Sequence, residues 1–327
     1  MTSSIQRILG TACIVAGTLC AQQGRVTGPT TGFVFDAGSR AMRPVLGVPG
    51  GSTIGAPVDL GKDYSLAAAW VSPRVDFAIG VTGEGALHIV RIDGSAAPRA
   101  VQEIADAVQN VVYSPSGSSA LLFTTTGTHV VTGLPDAPKV AGSVNPGGIL
   151  RRGTPTGVGI RASAPVISVA VSDDGAYVLY GSGGSVRVLT VSGENRQLAT
   201  TAADAVVAFA PNSHDAAVAD SDSGVVVFRD LAGAGAPKVI GGMRAPSGVA
   251  FSADARRIYV ASATAHSVSG FDVESGASNT VECDCAPVNL VRMGNVYRLN
   301  DFGREPLWLL DADAKDPRIV FVPAAVN

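Results

Sequence analysis

Short apolar runs recur along most of the chain, and each is closed by a turn rich in Gly, Ser, Asn or Asp. The clearest run ends in Ser or Ala directly before its turn, at positions 72, 114, 172, 210 and 252. These positions are spaced by 42, 58, 38 and 42 residues, so the interval of 58 holds one period and an insertion. A period of about 40 residues is typical of a repeat fold.

Each repeat continues with a second apolar run after the marker turn and a third run after a Gly, Ser or Thr turn. A corner that is often opened by Asp follows the third run, because an Asp carboxylate accepts hydrogen bonds from the N–H groups of its own turn. A fourth run follows most of these corners. Runs of this length suit strands and are too short for typical helices. Four short antiparallel strands in each repeat predict the blade of a β-propeller.

The predicted fold is therefore all-β, a β-propeller of about seven four-stranded blades. Stacking blades radially buries both faces of every sheet, so strands should be nearly continuous apolar runs, as residues 166–171 and 225–228 are. The C-terminal unit at 288–322 contains four runs, whereas the N-terminal unit near 31–63 shows the two outer ones. We expect seven blades with an irregular first blade. Six blades with an N-terminal extension packed on the last blade are the alternative.

The unit at residues 168–191 reads SVAVSDDGAYVLYGSGGSVRVLTV, an inner run, Ser-Asp-Asp-Gly and a second run. It resembles the blades of the bacterial YVTN/WD40-like propeller superfamily, whose hallmark is an inner strand, Ser-Pro-Asp-Gly and a second strand. Residues 247–273 are similar to a degraded form of the same blade, and the resemblance covers roughly residues 64–290. It implies the fold and says almost nothing about activity, because this superfamily includes interaction platforms and several enzymes.

Charge excludes one class of partner. The chain has 327 residues, 46% of them hydrophobic and 16% charged, and a net charge of -3. Its longest basic clusters are the pairs Arg151-Arg152 and Arg256-Arg257, so we expect no nucleic-acid partner.

The N-terminus predicts export. Arg7 precedes an uncharged apolar run at 8–19, which is shorter than the stretch of about 20 residues that spans a bilayer. We therefore predict a signal peptide over 1–21, a short linker over 22–30 and a single propeller domain over 31–327, with no transmembrane span. The product would be a periplasmic or extracellular monomer. A buried N-terminal strand or helix is the alternative.

Cys20 follows the apolar run directly, as the modified cysteine of bacterial lipoprotein signals does. Leu19 stands where that pattern has a small residue, and Gly17 stands where it prefers Leu. The poor match favours a soluble exported product over a lipid-anchored one.

Cleavage of the signal peptide leaves Cys283 and Cys285, which we predict to form a disulfide. In a straight strand, residues two apart have Cα atoms about 6–7 Å apart, near the upper limit for a disulfide. Bridging needs a local kink, which Pro287 makes plausible. Two unpaired thiols, and a metal or redox site, are the alternatives.

No catalytic, metal or cofactor motif is found. There is no nucleophile elbow, no phosphate-binding loop followed by a helix and no dinucleotide fingerprint. Residues 181–184 are interpreted as a hairpin turn, and 220–224 (DSDSG) as a plain turn that starts like a calcium loop but lacks the distal Glu. The four histidines stand in different repeats without metal-ligand spacing: His88, His129, His214 and His266.

The insertion at 142–164 is the most individual segment, and it carries Arg151, Arg152 and Arg161. Long loops on a rigid scaffold often carry function, so these arginines are predicted to bind an acidic partner or ligand. A solvated loop without a binding role is the alternative.

We therefore predict a non-enzymatic binding or protein-interaction module that holds an unknown protein or small ligand at the channel face. The alternative is a propeller hydrolase, similar to a lactonase, with its site at the channel mouth. Such a site needs acidic residues or histidines near the starts of several inner strands. The residues found there include one acidic residue and no histidine, which argues against such a site: Asn110, Ser168, Asp204, Ser247 and Asn289.

Overall fold

The computed structural model describes residues 28–61, 64–94, 96–101, 103–144, 168–182, 184–202, 205–233, 235–314 and 316–324. Within these ranges the chain is all-β, with 27 strands in seven antiparallel sheets. The described residues include no helix long and apolar enough to cross a membrane. The predicted signal peptide and Cys20 lie outside them, so export and the absence of a lipid anchor at Cys20 remain predictions.

Each of the seven blades consists of strands that are consecutive in the chain. Blade 1 contains β1 (Thr30–Asp36), β2 (Ala41–Leu46) and β3 (Thr53–Ile54), and blade 2 contains β4 (Leu66–Val71), β5 (Phe77–Thr82), β6 (Leu87–Arg91) and β7 (Arg99–Ala100). Blade 3 contains β8 (Val108–Tyr113), β9 (Ser119–Thr124), β10 (Thr128–Thr132) and β11 (Lys139–Val144), and blade 4 contains β12 (Val169–Val171), β13 (Tyr177–Ser182), β14 (Ser185–Thr190) and β15 (Asn195–Thr200).

The last three blades have four strands each. Blade 5 contains β16 (Val206–Phe209), β17 (Ala216–Asp220), β18 (Gly224–Phe228) and β19 (Lys238–Gly241). Blade 6 contains β20 (Gly248–Phe251), β21 (Arg257–Ser262), β22 (Ser267–Asp272) and β23 (Ser278–Glu282), and blade 7 contains β24 (Val291–Met293), β25 (Val296–Arg298), β26 (Leu307–Asp311) and β27 (Arg318–Val322).

Seven hydrophobic clusters in the described chain hold the ring together, one at each junction between neighbouring blades. Blade 5 shows how the strand periodicity produces them. Val207 and Phe209 pack toward blade 4, whereas Val206 and Ala208 pack toward blade 6, because successive side chains of a strand point to opposite faces. Both faces of the sheet are buried, which is why its strands are continuous apolar runs.

The ring has two faces. At the first-turn face lie the turns that join the first strand of a blade to its second, at residues 72–76, 114–118, 172–176, 210–215, 252–256 and 294–295. At the opposite face, which we call the start face, the innermost strands of blades 2 to 7 begin. The innermost position follows from packing, since β12 contacts β8 and β16, and β16 contacts β20.

Blade 1 closes the ring between blades 7 and 2. Val34 and Val45 pack on blade 7, and Met42 packs on blade 2. Its first strand, β1, contacts both β24 and β4. The approach is tight, because a Cβ atom at Gly32 would lie 2.4 Å from Cγ of Met293. Any larger residue at position 32 would have to displace the buried Met293 side chain. The prediction of a seven-bladed propeller with an irregular first blade is confirmed, and the six-bladed alternative is wrong.

The strands of blade 1 differ from the prediction of two outer strands. β1 begins at the first-turn face, because the Thr31 carbonyl lies beside Gly294, and Gly294 donates its N–H to Pro73 O at 2.9 Å. β1 therefore runs opposite to the innermost strands of the other blades. The three strands have the directions of a second, third and fourth strand, and the corner after Asp36 does not end a third strand.

Tyr113 links blade 3 to both inner strands of blade 2. Its hydroxyl donates to Trp70 O at 2.8 Å and accepts the Ile79 N–H at 2.9 Å, and its ring meets Phe77 edge-on at 5.7 Å. Burial raises the pKa of this phenol well above its usual value, so the hydroxyl stays protonated and keeps donating.

We expect Tyr113→Phe to lower the free energy of unfolding by about 1–3 kcal/mol, because it removes two hydrogen bonds between blades 3 and 2, each of which contributes about 0.5–1.5 kcal/mol. Urea denaturation followed by circular dichroism measures the change. Tyr64→Phe is the matched control, because the Tyr64 hydroxyl is buried and makes no hydrogen bond within the described residues. Equal stability of Tyr113→Phe and the wild-type protein would contradict the assigned role.

Candidate functional site

Asp173 joins three consecutive blades at the first-turn face. Its Oδ1 accepts the N–H and the hydroxyl of Ser116 in blade 3, at 2.8 and 2.6 Å, and its Oδ2 accepts the N–H of Asn212 in blade 5 at 2.7 Å. Its carbonyl accepts the hydroxyls of Ser118 and Ser119 at 2.6 and 2.7 Å. Charge-assisted bonds of this kind are stronger than neutral ones, so the three turns form one rigid surface.

Asp174, the next residue, faces the blade 5 side of this surface. Its Oδ1 accepts the hydroxyl of Ser172 at 2.6 Å and the N–H of Ala176 at 3.0 Å, and its Oδ2 lies 2.8 Å from Nε2 of His214. Burial acts to raise the pKa of Asp174, but the bonds from Ser172, Ala176 and His214 outweigh it and hold the pKa below its usual value. The carboxylate is therefore ionised at neutral pH.

The Tyr177 ring fixes the imidazole of His214 from one side, edge-on with ring centroids 4.8 Å apart. Half of the Asp174 side chain, 51%, and one third of the His214 side chain, 33%, remain exposed. These two groups therefore present an oriented carboxylate and imidazole to solvent.

An open pocket of about 400 Å³ lies over these groups, lined by Asp173, Asp174, Asn212, Ser213 and His214. Asn212 has a backbone φ of 55°, a left-handed conformation that Asn tolerates better than most residues. Two carboxylates and one imidazole give the pocket an acidic character. An ammonium or guanidinium group is the complementary ligand chemistry.

The binding residues predicted from sequence, Arg151, Arg152 and Arg161, lie outside the described residues. The described chain stops at Val144, the end of β11, and resumes at Ser168 before β12, and both of these strand ends lie at the start face.

Cys283 and Cys285 lie in the connection from blade 6 to blade 7. Their sulfur atoms are bonded at 2.00 Å, with Cα atoms 5.1 Å apart, because the chain bends at Asp284 instead of continuing straight. Cys283 donates its N–H to His266 O at 2.9 Å, and Nδ1 of His266 lies 2.6 Å from Cys285 O. These contacts fasten the connection to blade 6.

Two serines at the starts of inner strands hold neighbouring blades together. Ser168 accepts the N–H of Val207 at 2.9 Å, which joins blade 4 to blade 5. Ser247 donates its hydroxyl to Pro287 O at 2.5 Å, which joins blade 6 to the connection before blade 7. Both hydroxyls are engaged in bonds between blades.

Two asparagines near the starts of inner strands also form hydrogen bonds with main-chain groups. Asn110 Oδ1 accepts the N–H of Val111 at 2.9 Å. The amide of Asn289, oriented by its neighbours, donates to Arg298 O at 3.1 Å and Leu299 O at 3.3 Å. Asp204, the acidic member of the set, lies outside the described residues.

The histidines have separate surroundings. His88 stacks near Tyr64 with ring centroids 5.4 Å apart, and Nδ1 of His129 lies 3.0 Å from the Ser143 hydroxyl. In the described part of the chain, no three side chains of His, Cys, Asp or Glu gather as metal ligands.

Sequence reasoning used the Ser-Asp-Asp-Gly turn only as a hallmark of the fold and missed the pocket. Two signals were present. This first turn has two adjacent carboxylates, and His214 follows Asp174 by 40 residues, about one period. Residues one period apart occupy similar places in neighbouring blades, so side chains on facing turns come within reach.

The comparison with a protein from Desulfotomaculum acetoxidans DSM 771, given below, supports the fold and nothing further. No protein-family model and no curated protein matches this sequence. A solved structure of a functionally unknown protein from Desulfotomaculum acetoxidans DSM 771 aligns with 90% of this chain and 99% of its own, with a TM-score of 0.53 and 14% identity. The dihydro-heme d1 dehydrogenase NirN, in complex with DHE, aligns with 76% of this chain and 54% of its own, with a TM-score of 0.46 and 19% identity.

Mass spectrometry of the unreduced mature protein should show the peptide with Cys283 and Cys285 lighter by two hydrogen atoms than its dithiol form. The bend at Asp284 keeps the Cα atoms within disulfide distance, at 5.1 Å. Reduction of the same sample is the control and should restore the dithiol mass. A full-mass dithiol before reduction would show that the thiols are unpaired.

Proposed function

We propose that the protein is an exported, non-enzymatic binding module that holds a partner protein or a small ligand against one face of the ring. The observation that carries the proposal is the acidic pocket between the first turns of blades 4 and 5. Its groups are fixed before a ligand arrives, since Asp173 fastens the turns and Tyr177 supports His214. A preorganised surface loses little conformational freedom when it binds.

The chemistry of the pocket indicates the kind of ligand. Asp174 is ionised and half exposed, so a cationic group of a partner can replace water at the carboxylate. A lysine or arginine side chain on a protein partner fits an open pocket at the surface. Binding of this kind falls with rising salt concentration, because exposed charge pairs are screened.

A second surface is proposed in the segment between β11 and β12, where Arg151, Arg152 and Arg161 would contact an acidic partner or ligand. Its support is the length and charge of the segment in the sequence. The two proposed surfaces have opposite charge, so one set of variants separates them.

One observation favours the hydrolase alternative. A carboxylate bonded to a histidine is the arrangement that orients a general base, and Asp174 lies 2.8 Å from His214. Such a site would lie at the first-turn face. The Ser168 and Ser247 hydroxyls at the predicted channel mouth are engaged in bonds between blades.

The test of the proposed function compares what immobilised variants retain from an extract of the host at low and high salt. The double variant Asp174→Asn/His214→Gln should lose, by at least about tenfold, partners that wild type retains at low salt, because it removes the exposed charge. Asp272→Asn is the control, a turn carboxylate in blade 6 that accepts the Ser275 N–H at 2.7 Å. Arg151→Glu/Arg152→Glu tests the surface proposed for the arginines in the same experiment.

Identical sets of partners for all variants would refute both binding surfaces. An esterase and lactonase screen of the purified protein separates the two functions. Turnover that His214→Gln abolishes and Asp272→Asn preserves would establish the hydrolase instead of the binding module.

A further inference from the structure

Asp220 ends β17 at the start face, and its side chain is fully buried. Oδ1 accepts three N–H groups, from Asp222 at 2.8 Å, Ser223 at 2.9 Å and Ala202 at 3.3 Å. Oδ2 is also buried but has no hydrogen-bond partner within the described residues. A buried carboxylate oxygen without a partner is costly, so this atom calls for a ligand.

The repeats show that the turn itself does not need a charge at this position. The residue that ends the second strand is Thr82 in blade 2, Thr124 in blade 3 and Ser262 in blade 6. Each hydroxyl accepts an N–H from the turn that follows, at 3.2, 3.1 and 3.3 Å respectively. A neutral hydroxyl is therefore sufficient to cap the turn, and Asp220 adds a second oxygen and a charge.

Blade 1 provides the informative comparison, because Asp36 ends β1 at the same face. Its Oδ1 also accepts N–H groups of its turn, from Gly38 and Ser39. Its Oδ2, however, pairs with the Arg43 guanidinium at 2.9 Å and accepts the Ser39 hydroxyl at 2.6 Å. Where a carboxylate occupies this position in blade 1, the second oxygen has a cation. Oδ2 of Asp220 has none within the described chain.

A second buried oxygen without a partner belongs to the residue that precedes Ala202 in the chain. Thr201 Oγ1 is buried and unbonded within the described residues, and the next residue, Ala202, donates its N–H to Asp220. Thr201 is itself anchored, since its N–H donates to Gly184 O at 2.9 Å. The two oxygens thus belong to one junction between blades 4 and 5.

We infer that Asp220 and Thr201 form a binding site for a hard divalent cation, Ca²⁺ by preference, at the start face between blades 4 and 5. Carboxylate and hydroxyl oxygens are the ligands that such ions take, and Ca²⁺ accepts the irregular geometry of a turn. Asp222, two residues further along the same turn, is exposed and carries a second carboxylate. The site lies opposite the acidic pocket and does not depend on the proposed function.

The small number of charges sets the expected affinity. The site has at most two described carboxylates, in agreement with the absence of a three-residue metal cluster from the described residues. Affinity for Ca²⁺ rises with the charge of the ligands, and weak sites of extracellular modules have dissociation constants of about 10⁻⁴–10⁻³ M. We expect a constant in this range, with coordination completed by main-chain carbonyls and water.

The experiment is a titration of the EDTA-treated mature protein with CaCl₂ by isothermal calorimetry, together with thermal unfolding at low and high calcium. Wild type should bind one Ca²⁺ and unfold at a higher temperature with calcium present. Asp220→Ser, which copies Ser262 of blade 6, should keep the turn and lose the binding. Thr201→Val should weaken binding severalfold, and Asp272→Ser, the control in blade 6, should leave it unchanged.

If Asp220→Ser does not fold, Asp220→Asn replaces it in the test, because this variant keeps the acceptor oxygen of the turn and removes only the charge. This variant should also lose calcium binding while its circular dichroism spectrum stays that of the wild type. Wild-type protein that shows no calcium-dependent heat or shift in unfolding temperature up to about 10 mM, ten times the weak end of the expected range, would overturn the inference. Calcium affinity in Asp220→Asn equal to that of wild type would also overturn it.

Discussion

Burial of both faces of every blade against its neighbours is the constraint on which the rest of this molecule depends. Each buried Val, Leu or Phe contributes about 1.5–3 kcal/mol, and the seven clusters place such residues at every junction of the described ring. No blade is stable alone, because an isolated sheet exposes two apolar faces. The strand interiors are thereby committed to packing, and polar chemistry is confined to the turns at the two faces.

Most polar groups at these faces first serve the ring itself. Tyr113, Asp173 and Ser168 each bond to the main chain of a neighbouring blade, so they set how the blades meet. Polar groups that are not fully used by bonds within the ring are the ones that can bind a ligand. Asp174 has an exposed carboxylate after its structural bonds are made, and Asp220 has an oxygen that no described neighbour satisfies.

The fold could be predicted because its signals are local and repeated, whereas the pocket depends on pairs of residues one period apart. Asp174 and His214 each look ordinary in their own turn, and they come together only because their two blades face each other.

The strands of the first blade were predicted wrongly for a physical reason. Asp36 caps the N–H groups two and three residues ahead as Asp272 does, so the local sequence is the same. Strand direction is decided by which neighbours bury the strand.

The bond from Gly294 to Pro73 passes the place where blade 1 would supply a first turn, so six turns form the rim of a seven-bladed ring. The rotational pseudosymmetry is thereby broken once. A macromolecule that binds across the rim would contact one junction, at blade 1, that differs from the other junctions. The seven blades are therefore not equivalent positions for it. The way the circle closes therefore makes one direction across the rim different from all the others.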